Sequence, residues 1–291
     1  MRIVVLGSRG QLGSKVVEAL SAEPGLEVTG TDRGRLDVTD PGALEAGLRD
    51  LRPEWVINCT AYTDVEKAET EPEKAYLVND AAVGFIADAA LKCGARVLHV
   101  STDYVFSGEF GGAPPRPYLE EDAPGPLCVY AASKLAGERR LSGHGVHSSV
   151  LRTSWLYGGP GKTFLHTMLR VGSEALRAGR PVRVVADQRG TPTDAWSLAA
   201  QIRRVVLAGA RGLFHAASVG EATWFDFTRE IFTHAGLEVR LEPIGTADYP
   251  TRARRPPYSV LENRKLDELG LNVMPPWKEG LARAWQRIKK E

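Results

Sequence analysis

Ile3-Val4-Val5-Leu6-Gly7-Ser8-Arg9-Gly10-Gln11-Leu12-Gly13 opens the chain with a short apolar run that passes directly into spaced glycines. Four consecutive apolar residues read as a strand covered on both faces, as in a parallel sheet. Glycines at its end let the backbone turn tightly, and a helix beginning there presents unpaired N–H groups at its start. A pyrophosphate is the ligand such a turn accommodates. The spacing is Gly-x-x-Gly-x-x-Gly rather than the older Gly-x-Gly-x-x-Gly fingerprint. Taken alone, it also fits a plain tight turn.

The alternation that starts there continues through about 215 residues. Strand candidates fall at 3–6, 27–31, 55–58, 96–100, 148–152, 182–185 and 213–216, with helix candidates between them at 12–20, 41–51, 72–93, 131–141, 163–178 and 195–208. Strand–helix alternation at this spacing predicts right-handed crossovers and an α/β fold, a Rossmann-type doubly wound parallel sheet with a smaller C-terminal substrate lobe. The expected division is 1–155 for the dinucleotide-binding domain, with 180–210 returning to it. The lobe takes 211–291 together with 156–179. Residues 107–126, rich in Gly, Pro and acidic side chains, read as a long loop whose position just before Tyr130 fits a loop over a cleft. Residues 242–259 read as an extended basic connection, followed by two helices near 263–269 and 276–289.

Composition narrows the class. With 291 residues, 43% hydrophobic and 25% charged, the chain is ordinary globular material. A formal net charge of +1 gives no global attraction to nucleic acid or to an anionic membrane, and neither is expected as a partner. Cys59, Cys93 and Cys128 are odd in number and lack Cys-x-x-Cys spacing, which fits a reducing compartment and no zinc site. The opening apolar run is too short for a signal-peptide core, and no run nears the roughly 20 residues of a membrane span. The expected location is cytoplasmic.

Three further features carry chemistry. The second strand ends in Gly30-Thr31-Asp32-Arg33, where a Rossmann fold meets the adenosine ribose. Asp32 there favours NAD by accepting from ribose hydroxyls, whereas Arg9 and Arg33 favour NADP by clamping a 2′-phosphate. The two signals leave dual use open, and Arg33 also fits a solvated turn. Asp37-Val38 stands where it could flank adenine. Ser101-Thr102-Asp103-Tyr104-Val105-Phe106 follows the fourth strand, at the sheet edge where ligands bind. A hydroxyl from Thr102 or Ser101 could polarise a carbonyl there. Finally, Tyr130-Ala131-Ala132-Ser133-Lys134 puts a phenol and an ammonium on one helical face. The cation would lower the phenol's pKa towards the working range.

These motifs occur in the order that carbonyl reduction needs, and the chain resembles the extended short-chain dehydrogenase/reductases. Within that superfamily it is similar to the dTDP-4-dehydrorhamnose reductase family. The similarity rests on Asn58-Cys59-Thr60-Ala61-Tyr62-Thr63-Asp64-Val65-Glu66-Lys67-Ala68-Glu69, on Ser101 to Phe106 with Gly108, and on Leu151-Arg152-Thr153-Ser154-Trp155-Leu156-Tyr157-Gly158. Asp187-Gln188-Arg189-Gly190-Thr191-Pro192-Thr193 and Arg255-Pro256 with Ser259-Val260-Leu261 extend it.

The resemblance implies Thr102, Tyr130 and Lys134 as the catalytic set. It implies Gly7, Gly10, Gln11 and Leu12 at the pyrophosphate, and Thr60, Ala61 and Tyr62 beside the nicotinamide, with Asn79 nearby. Asp103, Tyr104 and Trp155 would face the sugar. NADPH is the expected cofactor, with NADH also open, and a nucleotide sugar is the expected substrate. A homodimer is compatible with this reading. A reductase of another dTDP-keto-deoxysugar remains an alternative, as does a non-catalytic NADP-binding subunit of the kind associated with methionine adenosyltransferase. Ala131 and Cys59-Thr60 depart from the family's usual small residues without removing a reacting group.

Among the remaining candidates, Arg252, Arg254 and Arg255 could each contact a diphosphate, because a guanidinium offers bidentate donors, and they also fit a solvated basic loop; of the three, Arg255 is the expected ligand. His144 and His147 read as a surface pair rather than metal ligands, Trp224 as packing, and Asp64, Glu66, Lys67 and Glu69 as a structural charged loop.

Overall fold

A computed structural model describes residues 1–289. Its centre is a six-stranded, all-parallel sheet built on β1 (Arg2–Leu6), β2 (Glu27–Thr31), β3 (Trp55–Asn58), β4 (Arg96–Thr102) and β5 (Ser148–Thr153). A strand at Gly212–His215 pairs with β5, and the spatial order runs Gly212–His215, β5, β4, β3, β1, β2. All four residues of β3 are buried, as expected of a central strand covered on both faces. The chain order reverses between β1 and β3, the position at which open α/β sheets bind ligands.

Helices cover both faces. On one, α1 (Gln11–Ser21) packs Leu12, Val16 and Leu20 with Leu198, Ile202 and Val205 of the Ala195–Ala208 helix. On the other, Leu44 and Leu48 of α2 (Pro41–Leu51) join Ile86, Ala90 and Leu141 from later helices. The Leu44–Leu48 spacing of four puts both on one face, and the Asp40 carboxylate caps α2 by accepting from the Ala43 amide at 3.0 Å. Each such buried aliphatic side chain contributes about 1.5–3 kcal/mol.

Several expectations change. The 182–185 strand, expected to return to the main sheet, pairs in parallel with Leu241–Ile244 in a separate two-stranded sheet. Only the Ala195–Ala208 helix of 180–210 rejoins the main sheet, while Gly212–His215, assigned to the lobe, is an edge strand of that sheet. The helix expected over 72–93 is three segments, Pro72–Tyr76, a π-helical turn at Leu77–Ala81, and Ala82–Cys93. A helix at Trp224–Ala235 went unanticipated. It packs Phe227 and Ile231 with Leu165, Trp277 and Leu281 to form the lobe's own core.

The 107–126 loop does not cover the cleft. Tyr118 stacks on Phe106 at 4.0 Å and exchanges backbone hydrogen bonds with Val260 and Glu262, so the loop is tied to the C-terminal segment. Among the described residues, no helix is long and apolar enough to cross a membrane.

Candidate active site

The first crevice lies where β1 turns into α1. Gly7 has φ +76°, a left-handed conformation that side chains resist, and a Cβ there would press on Thr60 and the Cys59 backbone. Gly10 is the extended N-cap of α1 and caps it with no side chain, so the first-turn amides face the crevice. Gly13 matters for a different reason. A Cβ at Gly13 would sit 2.1 Å from the Gly7 carbonyl oxygen, so glycine is what lets the helix approach the strand. Gly13→Ala should therefore lose about 1–3 kcal/mol of stability and most of its dinucleotide affinity. Urea midpoints and fluorescence titration with NADPH would read both; unchanged values would refute the requirement.

A cleft of about 640 Å³ follows from this turn, lined among others by Gly7, Gly10, Thr60, Ala61 and Tyr62. Arg9, Asp32, Arg33, Asp37 and Val38 line its far end. There the charges are already paired: Arg9 with Asp32 at 2.5 Å, and Arg33 with Asp37 at 3.1 Å. Backbone and hydroxyl hydrogen bonds from Thr39, then the Arg33 guanidinium, hold the Asp37 carboxyl below its usual range. Gln11 leaves its buried Nε2 without a partner at the mouth of α1. The bare glycine turn, the free helix amides and this unsatisfied amide fit a dinucleotide. Leu12 offers only its backbone, because its side chain is in the core. Asn79 lies behind the cleft: its Oδ1 accepts from the Tyr62 amide at 2.8 Å and its Nδ2 donates to the Ser133 hydroxyl at 3.0 Å. It sits in the π-helical turn, a distortion frequent at functional sites.

The catalytic candidates meet beside this crevice. The Thr102 hydroxyl, which donates to Asp103, lies near enough to the Tyr130 phenol to favour its anion, but burial dominates and pushes the phenol's pKa up. Tyr130 is thus held as the protonated phenol. Ser101, the competing hydroxyl, donates to Glu138 at 2.5 Å beneath the sheet edge and is committed there. Lys134 differs from expectation. Its ammonium nitrogen bonds the Val100 carbonyl at 2.7 Å and lies 3.2 Å from His99 Nε2, rather than reaching the phenol. Burial lowers its pKa to about 8. The Tyr130 helix is anchored at its start by Glu69, whose carboxylate accepts from the Val129 amide at 2.8 Å.

A second cleft, about 700 Å³, opens between this site and the lobe and is lined by Tyr104, Arg255, Gln188, Phe164 and Trp224. Tyr104 stands edge-on to Tyr130, with centroids 6.0 Å apart. Arg255 pairs with Glu66 at 2.7 Å, whereas Arg254 reaches only Glu109 at the surface. Asp103, expected against the sugar, instead turns inward. It accepts from Thr102 at 3.2 Å and Ser154 at 3.1 Å, and burial raises its pKa to about 6. Trp155 adopts φ +44° and stacks on Trp224 at 3.5 Å. Trp224, read from sequence as packing, is therefore part of the cleft wall. His144 and His147 make separate contacts, with Asp88 and with the Trp55 ring edge.

A Rossmann-type sheet whose glycine crevice shares its edge with buried Thr102, half-buried Tyr130 and buried Lys134 defines the extended short-chain dehydrogenase/reductase class. Comparison with known proteins narrows this further. The model of the RmlD substrate binding domain family matches residues 1–290, and the chain belongs to that family. It is 42% identical over 286 residues to dTDP-4-dehydrorhamnose reductase of Mycobacterium tuberculosis, covering 97% of this chain and 92% of the relative. The Escherichia coli K12 protein of that name is 38% identical, covering 97% and 96%. The crystal structure of dTDP-4-dehydrorhamnose reductase from Bacillus anthracis in complex with NADP superposes with a TM-score of 0.92. It is 35% identical and covers 98% of this chain and 99% of that one.

Proposed function

We propose that this protein is a dTDP-4-dehydrorhamnose reductase, converting the C4 keto group of dTDP-4-dehydro-β-L-rhamnose to the alcohol of dTDP-L-rhamnose. The observation that carries this is that Thr102 and Tyr130 stand together beside Tyr104 of the lobe cleft, on the same edge of the parallel sheet as the dinucleotide-shaped glycine crevice. Full-length relatedness to reductases of that name supports the choice of substrate.

The glycine turn, the α1 amides and Gln11 would hold the cofactor's pyrophosphate, and Thr60, Ala61 and Tyr62 its nicotinamide end. The bound NADPH or NADH supplies the hydride that the C4 carbon accepts. Thr102 polarises the carbonyl by donating to its oxygen, and Tyr130 gives that oxygen the proton it needs to become a hydroxyl. Lys134, one helical turn on, bonds Val100 rather than the phenol, and in its ammonium form it would stabilise the phenolate left on Tyr130 by swinging towards it. Arg255 would meet the substrate diphosphate, and Tyr104 with the Trp155–Trp224 pair would wall the sugar.

A cytoplasmic location belongs to this reading, supported by three cysteines that remain free thiols. The deciding assay follows NAD(P)H absorbance with dTDP-4-dehydrorhamnose, run separately with NADPH and NADH beside a panel of other keto-sugar nucleotides. Turnover of another sugar in preference would displace this substrate.

A further inference from the structure

His99 lies in the middle of β4, is fully buried, and touches a polar group at each ring nitrogen. Those contacts fix its proton. Asn58 Oδ1 accepts from both the Thr60 amide, at 2.9 Å, and the Thr60 hydroxyl, at 2.6 Å. A backbone N–H can only donate, so the amide cannot be reversed. Asn58 Nδ2 must therefore donate to His99 Nδ1, 3.0 Å away. An imidazole that accepts at Nδ1 and is neutral carries its proton on Nε2. That N–H points at Lys134 Nζ, 3.2 Å away, which meanwhile donates to the Val100 carbonyl.

An N–H aimed at an ammonium is a contact between two donors, whereas an N–H aimed at a free amine is a hydrogen bond. We propose that His99 is a positioning residue for Lys134, its tautomer fixed by Asn58 so that Nε2–H donates to the amine form and turns the ammonium form away. Burial and the lysine itself keep His99 neutral. The other groups acting on Lys134 are Glu138 on its own helix, committed to Arg152 of β5, and Cys59 after β3. The chain of contacts runs from Thr60 in the cofactor cleft through Asn58 and His99 to Lys134. It thereby sets both the pH at which Lys134 loses its charge and the direction the charged side chain faces.

Only the kinetic arm of the test rests on the reductase reading. In the intact protein labelled with 15N-histidine, long-range 1H–15N spectra should show one neutral Nε2–H imidazole that does not titrate between about pH 5 and 9 and disappears in His99→Gln. An Nδ1–H tautomer, or titration in that range, would overturn the proposal whatever the enzyme reduces. The kinetic arm uses Asn58→Asp. Its carboxylate still accepts from Thr60 but cannot donate to His99, so it favours the Nδ1–H tautomer, accepts a hydrogen bond from it, and leaves Nε2 to offer a lone pair to the lysine ammonium. The alkaline limb of the kcat profile should move up by about one pH unit. An unmoved limb in a folded, active variant refutes the coupling; absence of turnover in the parent enzyme refutes the substrate assignment and leaves the spectral result standing.

Discussion

Tyr130→Phe is expected to lower kcat by about 10²- to 10⁴-fold, the range by which a positioned proton donor accelerates such a step. Phenylalanine keeps the ring that meets Tyr104 edge-on and removes only the oxygen. Thr102 keeps its bonds to Asp103 and the Tyr104 amide, at 3.2 Å each, so the loop should hold its shape. NADPH affinity should stay within a few-fold of the parent because the glycine turn is untouched. Steady-state kinetics with a parallel NADPH titration separates the two effects. Turnover retained within tenfold would remove Tyr130 as the acid.

The second large effect is on stability. Arg152 donates to Glu138 from Nε at 3.0 Å and from Nη2 at 2.7 Å, and both side chains are buried. Ser101 adds a third donor to the same carboxylate. Arg152→Met would leave Glu138 a buried charge with one hydroxyl partner, at a cost of about 3–5 kcal/mol. The double change Arg152→Met with Glu138→Leu should recover much of that loss, since a buried pair exchanged for apolar groups is often near neutral. Urea unfolding of the parent, single and double variants would test this. A single variant within about 1 kcal/mol of the parent would mean that water reaches the pair.

Much of this molecule can be read from periodicity. The runs at 3–6, 55–58 and 96–100 are mostly apolar because strands covered on both faces bury most of their side chains, and the structure places all three within the parallel sheet. The run at 182–185 misleads because Val-Arg-Val-Val alternates. Arg183 is exposed between buried Val182 and Val184, the signature of a one-sided strand in a small sheet.

The Trp224–Ala235 helix carries its own start and stop signals in the sequence. Thr223 and Asp226 form a capping box, and Gly236 ends the helix with φ +64°. The π-helical turn at Leu77–Ala81 has no comparable signature in a single sequence, since tertiary contacts such as Asn79 with Ser133 hold it.

The site divides along the same line. Thr102, Tyr130 and the glycines could be found because local turn chemistry and helical spacing put them at strand and helix ends. The inward turn of Asp103 could not, because its partners Ser154 and Ser259 come from distant parts of the chain. The same holds for Trp224 and for the His99–Asn58 pairing, each of which depends on which elements the sheet brings side by side.

The flat overlap of Trp155 and Trp224 has a mechanical meaning. One indole belongs to the strand side of the molecule and the other to the head of a lobe helix, so they act as a clasp between the two. Swinging the lobe outward would have to peel the rings apart, forfeiting about 0.5–1.5 kcal/mol beyond the apolar area newly wetted. The wall of the lobe cleft at Trp224 is thus held in shape by the protein's own packing.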